Sequence, residues 1–352
     1  MKAELINLLK KRGGDYSYAY GVVSGKSSKL LSYHQTENLA LFKSLDEVAT
    51  FLSGTEYEQD IQGAMGKMID ADKLEKGILS GFMRIYNEIA VHLPPGDRNT
   101  LAEMTMGYIG TTNLQVAIRM VHSKANPEEI KKMLSPGRWG NEFTDDIVGS
   151  GSIRDLLEKL KGTKYEVLVE EIEEYEKTKN TISLEVRLEK LLVKRWLALK
   201  DTMSPDLQSY IAKNIDMMNI TYALRITEEH VDAKDIFIEG GKYVSREMFE
   251  RMAKSSPSDA VEILHKTPFY NAAKEGIGHF EKAGSFIKLE NLLNGVIIKR
   301  FADDALFRPL SMSSIILFIA RKRMEIKNLR RIIVCIAGKI PANEIKEMLV
   351  RV

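Results

Sequence analysis

The chain carries one cysteine, Cys335, among 352 residues. A disulfide framework is excluded and a reducing, cytoplasmic compartment is expected. Cys335 sits in an apolar stretch, where a thiol serves as a small packing residue rather than a nucleophile. Glycine and proline are sparse, 24 and 9, which leaves little material for the turns of an all-β fold. Long hydrophobic runs are missing too. The most apolar stretches, 314–320 and 332–337, are too short to span a bilayer, and Arg321-Lys322-Arg323 and Arg330-Arg331 lie beside them. The opening Met1-Lys2-Ala3-Glu4-Leu5 lacks a signal-peptide core. Neither sign of charge dominates: 51 Lys and Arg against 49 Asp and Glu give a net +2, so bulk charge points to no nucleic-acid partner. His34, His92, His122, His230, His265 and His279 are scattered, with no two at ligand spacing on one helix. No Ser/His/Asp or Cys/His grouping stands out, so no catalytic residue, metal or cofactor is expected.

What is present is helix-forming composition and an internal repeat. Stretches rich in Leu, Glu, Lys, Met and Arg favour helix throughout. An acid, two apolar residues, a leucine, a threonine and an aromatic recur three times. They read Glu47-Val48-Ala49, Leu52, Thr55, Tyr57; then Asp155-Leu156-Leu157, Leu160, Thr163, Tyr165; then Asp259-Ala260-Val261, Leu264, Thr267, Phe269. A second marker follows each: Asn113-Leu114, Asn219-Ile220 and Asn328-Leu329. The threonines recur at intervals of 108 and 104 residues and the asparagines at 106 and 109. Two markers with nearly one period make the chain three copies of one unit.

Within each copy the acid suits the positive end of a short helix, whose apolar residues and leucine share one face. Gly54, Gly162 or Pro268 breaks it. A longer helix is expected over 72–92, 183–200 and 285–301, opened by Asp72, Ser183 or Ser285 and carrying Leu74-Glu75, Leu188-Glu189 or Leu289-Glu290. Positions +1, +4, +5 and +8 from the asparagine are Leu114, Ala117, Ile118, Val121; Ile220, Ala223, Leu224, Thr227; and Leu329, Ile332, Ile333, Ile336. That spacing is the core stripe of an amphipathic helix. A closing helix matches between 129–134 and 344–349, while the second copy inserts Ile238-Glu239-Gly240-Gly241 before a closing helix at 245–253. Loop-like 135–140 and 254–258 separate the copies. The expected fold is all-α: three similar helical bundles in tandem, 1–140 with extra N-terminal helices, 141–255 and 256–352.

Three features invite functional readings. Gly21 to Ser27 resembles a phosphate-cradling loop but has three residues between its glycines where four are needed, so a helix with small residues on a packed face is expected instead. Arg119 and Arg225 stand six residues after their asparagines, off the core stripe, either bridging helices within a bundle or facing a partner. From Lys299 to Val352 twelve basic residues face five acidic ones. Such a patch suits acidic protein, lipid headgroups or nucleic acid. Lacking interleaved aromatics, it favours acidic protein.

Lys322-Arg323-Met324-Glu325-Ile326-Lys327-Asn328-Leu329-Arg330 resembles the Glu-x-x-Asn-Leu-Arg signature of the C subunit of the A/V-type ATP synthases, a relative of the d subunit of the eukaryotic vacuolar ATPase. Asp216 to Ile220, with Leu224-Arg225, is similar to that family's middle repeat. Tyr18-Ala19-Tyr20 through Leu30-Leu31 resembles its first helix, although Val23-Ser24-Gly25 replaces the usual arginines. The resemblance implies three helical domains in a pseudo-threefold funnel. It implies a non-catalytic central-stalk protein, peripheral to the membrane, joining the proteolipid rotor ring to the axle made by the D and F subunits. It assigns no cofactor, metal or nucleic acid, and no contact residues for ring or axle. The alternative is a helical scaffold that binds another acidic protein through its basic third unit.

Overall fold

The computed structural model describes residues 15–64, 69–134, 141–229 and 236–350, and every regular element among them is a helix. The chain opens with α1 (Ser17–Ser27), α2 (Tyr33–Leu39), α3 (Leu45–Leu52) and the one-turn α4 (Glu58–Ile61). The long α5 (Ala71–Ala90) follows, then α6 (Pro95–Ala102), a π-helical stretch at Glu103–Gly107, α7 (Tyr108–His122) and α8 (Pro127–Met133). Next come α9 (Asn141–Val148), α10 (Ile153–Glu158), α11 (Ile172–Thr178), α12 (Ile182–Leu197) and α13 (Pro205–Glu229). The last six are α14 (Arg246–Ala253), α15 (Pro257–Glu262), α16 (Tyr270–Ala283), α17 (Ile287–Phe307), α18 (Met312–Ala337) and α19 (Ala342–Met348).

The repeated threonine is a turn clamp. Thr55, Thr163 and Thr267 donate their hydroxyls to the carbonyls of Leu52, Leu160 and Leu264 at 2.7–2.8 Å. The same hydroxyls accept the backbone N–H of Tyr57, Tyr165 and Phe269 at 3.1–3.3 Å. This local bonding satisfies carbonyls that the helix end leaves open and aims the aromatic inward. All three aromatics are buried. The acids lie in the first turn as expected, but the caps are serines three residues earlier. Ser44, Ser152 and Ser256 accept from the N–H of Glu47, Asp155 and Asp259. Among the long helices, α5 is capped by Asp70 rather than Asp72. Ser183 lies inside α12, and α17 starts after Phe286 without a side-chain cap.

The described chain divides into two compact units, one of Asn99–Thr202 and one of Met1–Arg98 with Met203–Val352. Packing runs half a repeat out of phase with the sequence copies. In the smaller unit the first asparagine stripe, Leu114, Ala117, Ile118 and Val121, shares a core with Leu156, Leu157 and Leu160 of the second acid-led helix. In the larger unit the third stripe, Leu329, Ile332, Ile333 and Ile336, shares a core with Val48, Ala49, Leu52 and Tyr57 of the first. In the same unit α13, with Ile220, Ala223 and Leu224 buried, packs on α14, α15 and α17. Each stripe is therefore completed by the start of the next copy, and the last by the first.

That phase explains two segments the repeat left aside. α2 begins after a Ser32 capping box and packs on α18; α14 begins after a Ser245 cap and packs on α13. The helix at 246–253 stands directly before the third acid-led helix, as α2 stands before the first, which makes it the counterpart of a leading helix. The expected boundary at 135–140 and the side chain of Thr227 lie outside the described residues.

Candidate functional site: the asparagine seams

Each marker asparagine sits inside a long helix and is buried. Asn328 donates its amide to the Val350 carbonyl and accepts the Val350 N–H, both at 2.9 Å. Asn219 does the same to Ile238, at 2.8 and 2.9 Å. An Asn side chain offers donor and acceptor together, so it pairs one backbone residue as a strand neighbour would. It thereby pins the segment after the long helix back onto that helix. Leu329 beside it is fully buried in the core.

Three residues before Asn328, the buried carboxylate of Glu325 accepts from the Tyr57 hydroxyl, the Leu31 N–H and Lys322 Nζ, each at 2.7 Å. Lys322 is 1% exposed and lies 4.3 Å from the Tyr57 ring centroid. Burial first, then the charge of Glu325 and the hydrogen bond to it, push the Tyr57 hydroxyl well above its usual pKa. A cleft of about 290 Å³ opens beside this network, lined by Ser27, Leu31, Tyr33, Arg321, Glu325 and Asn328. Arg330, two residues past the asparagine, bonds the buried Glu75 of α5 at 2.7 Å.

The Asn219 seam follows the same plan with other groups. Asp216, also three residues earlier, accepts the backbone N–H groups of Lys242, Tyr243 and Val244 at 3.0–3.1 Å. Burial raises its pKa, and those N–H bonds oppose the rise. The inserted glycines allow this nest. Gly240 takes φ +106°, and a Cβ on Gly241 would stand 2.4 Å from the Asp216 carboxylate. Lys213, the counterpart of Lys322, bonds Ser209 and lies over the Phe301 ring. Arg225 lies over the Tyr222 ring at 5.9 Å.

In the smaller unit Asn113 is buried, and Arg119 reaches across to α12. It pairs two-fold with the fully buried Glu185, at 2.8 Å from Nε and more closely from Nη2. Of its two readings the structure gives the bridging one. Gln115, at the place of Arg330, bonds Glu189 of the expected Leu-Glu pair at 3.2 Å.

Of the predicted residues, Glu325, Asn328, Leu329 and Arg330 meet in one seam, and Asn219 and Arg225 lie on α13. Sequence reasoning named Lys322, Asp216 and Glu75 within motifs but gave them no site role, and did not name Lys213 or Glu185. The signal available was the carboxylate three residues before two of the asparagines and the lysine three before that. Gly21 to Ser27 belongs to α1, a helix. Gly21 and Gly25 face open space rather than a packed side, and Lys26 pairs with Glu56 and Glu88 at 2.7 Å. Among the described residues no His/Cys/Asp/Glu group could hold a metal ion, and no helix is long and apolar enough to cross a membrane.

Comparison with known proteins attaches this arrangement to a family. A family model described as the ATP synthase (C/AC39) subunit matches residues 19–348. The A-type ATP synthase C subunit of Methanosphaera stadtmanae is 26% identical over 346 residues, covering 95% of this chain and 87% of the relative. Its namesake from Methanococcoides burtonii is 25% identical over 355 residues, covering 97% and 96%. That from Methanocaldococcus jannaschii is 22% identical over 344 residues, covering 95% and 86%. The match begins in α1, ends in α19 and takes in all three marker asparagines, so the chain belongs to the ATP synthase (C/AC39) subunit family.

Proposed function

We propose that this chain is the non-catalytic central-stalk component of an A/V-type ATP synthase, seated between the membrane proteolipid ring and the axle made by the D and F subunits. It passes torque between ion flow and ATP chemistry from the cytoplasmic side, peripheral to the membrane. The observation that carries the reading is the family match over residues 19–348, with relatives along nearly their whole length named as the C subunit of such an enzyme.

The packing supports a mechanical role. A torque-bearing part must resist shear between its helices, and close-packed cores with paired buried polar groups give that resistance. Here each long helix is completed by the next copy, and buried brackets at Asn219 and Asn328 fasten the following segment. Three such bundles, each joining the end of one copy to the start of another, would make a socket for an axle if set about a pseudo-threefold axis.

The test is purification of the tagged full-length chain from native membranes under mild detergent. Ring and axle components of the ATP synthase are expected to travel with it in fixed proportion. A chain that leaves the membranes without them ends this reading.

A further inference from the structure

Arg323, Lys327 and Arg331 stand four residues apart on α18. Steps of four advance about 40° around a helix, so the three form one slanting stripe about 12 Å long. All three are half-buried, and Lys327 faces α17 through Asn291. Elsewhere on α18, Lys322 pairs with the buried Glu325 and Arg330 with the buried Glu75. Lys327 and Arg331 are treated differently. Lys327 Nζ makes a 3.4 Å contact to the neutral Asn291 Oδ1 of α17, and Arg331 donates to the Met348 carbonyl at 2.6 Å. Among the described residues no carboxylate forms an ion pair with either. Burial, then Arg331 and Arg323 on either side, bring Lys327 down to about 8, with Glu290 opposing. Two cations are thus partly desolvated with Glu290 nearby but no carboxylate in direct contact, a costly arrangement for an isolated chain.

The flanks are apolar. Val334, one turn on, is 42% exposed and Ile287 is 39% exposed. The antiparallel α17–α18 pairing that sets Asn291 against Lys327 sets Ile287 against Arg331. A line of cations between exposed apolar side chains matches an amphipathic helix with carboxylates at one-turn intervals. A flat lipid surface suits it poorly, because the cations are recessed between two helices. A phosphate suits it poorly too, because the cations run in line instead of converging.

We propose that the α17–α18 groove docks an acidic helical segment of a partner protein, whose carboxylates form the direct ion pairs that Lys327 and Arg331 do not make within the described chain. The inference rests on the rotor reading only in taking that partner from the same assembly. The test is zero-length carbodiimide coupling of the complex from native membranes, followed by peptide mapping. Lys327 is expected in an amide bond to an Asp or Glu of another polypeptide, in a segment with carboxylates three or four residues apart. Lys327→Arg should lose that cross-link. Lys327→Glu should cut retention of the chain in the complex at least tenfold, while Lys327→Gln leaves the melting temperature of the isolated chain unchanged or higher.

Lys327 recovered unmodified from an intact complex, or coupled only to Glu290, overturns the proposal. So does a partner segment without spaced carboxylates. Protection of Lys327 in the isolated chain by inorganic phosphate or by phosphatidylserine vesicles also overturns it, reassigning the stripe to that anion. An acidic-helix cross-link in an assembly lacking ATP synthase components would sustain the groove and end the rotor reading. The reverse outcome, the expected ring and axle components with Lys327 uncoupled, would do the opposite.

Discussion

At the Asn328 seam the carboxylate three residues before the asparagine is a glutamate, and at the Asn219 seam it is an aspartate. That one methylene changes which groups it satisfies. Glu325 reaches a lysine, a tyrosine hydroxyl and the Leu31 N–H. Asp216 takes the backbone N–H groups of residues 242–244. The aromatic of the acid-led helix follows suit: Tyr57 brings a hydroxyl to Glu325, while Phe269 has none. The lysine follows as well. Lys322 is neutralised, whereas Lys213 is left to Ser209 and the face of Phe301. The same frame therefore holds a buried charge in two ways, by an ion pair or by a backbone nest. The first depends on two side chains and a backbone N–H from distant parts of the chain, the second on the loop geometry that Gly240 and Gly241 permit.

Lys322→Met attacks this difference most directly. It leaves Glu325 buried with no cation and removes the charge that also faces Glu56 at 3.9 Å. It should destabilise the chain by about 3–5 kcal/mol. Denaturant unfolding of the isolated chain reads it. A cost below about 1 kcal/mol would erase the difference between the seams. The asparagines themselves should behave alike. Asn328→Ala and Asn219→Ala each orphan a buried N–H and carbonyl, at Val350 and Ile238, for about 2–4 kcal/mol. Unequal losses in the same unfolding experiment would mean that the pairings carry different loads despite matching geometry.

How much of this the sequence disclosed depends on the range of the interaction. The threonine clamp and the acid in the first turn are local, bonded within three residues, so their spacing survives as a readable repeat. The +1/+4/+5/+8 stripe was legible because helix periodicity is also local, and every described member is buried. The partners were not legible. Glu325 meets Tyr57 across 268 residues and Leu31 across 294. Nothing in the period tells whether a stripe closes on its own copy or the next. The leading helices were missed for the same reason. α2 and α14 have no common motif beyond a serine cap, and their place before an acid-led helix, packed on α18 and α13, equates them. The sites split along the same line. Asn328 and Arg330 stood out by resemblance, while Lys322 looked like one more basic residue of a charged segment until its burial was visible.

Milder changes probe the aromatic. Tyr57→Phe removes one of three bonds to Glu325 and should cost about 1–2 kcal/mol in unfolding free energy. Phe269→Tyr places a hydroxyl in a fully buried site beside the Tyr243 ring, where Asp216 is already filled by backbone donors, and should cost about as much. A stabilised Phe269→Tyr chain would show that Asp216 keeps acceptor capacity, and that the seams differ less than their bonds suggest.

The smallest effect should come from Lys213→Met, and its sign separates the two lysines. Burial first, then Lys242 and Arg300, lower the Lys213 pKa in the folded chain below its ordinary value of 10.5. Below the folded value both states are protonated, and the folded chain bears the full cost of burying the cation. As pH rises from the folded value to about 10.5, the folded chain binds fewer protons than the unfolded one, so stability climbs. Lys213→Met removes that cost and that slope. The variant should equal the parent or exceed it by up to about 1 kcal/mol at pH 7, with the advantage shrinking in alkali. Lys327 contributes its own alkaline slope in parent and variant alike, so the difference between their unfolding curves against pH isolates Lys213. A Lys213→Met loss as large as that of Lys322→Met would mean that Asp216 relies on its lysine after all, and that the backbone nest alone does not carry the charge.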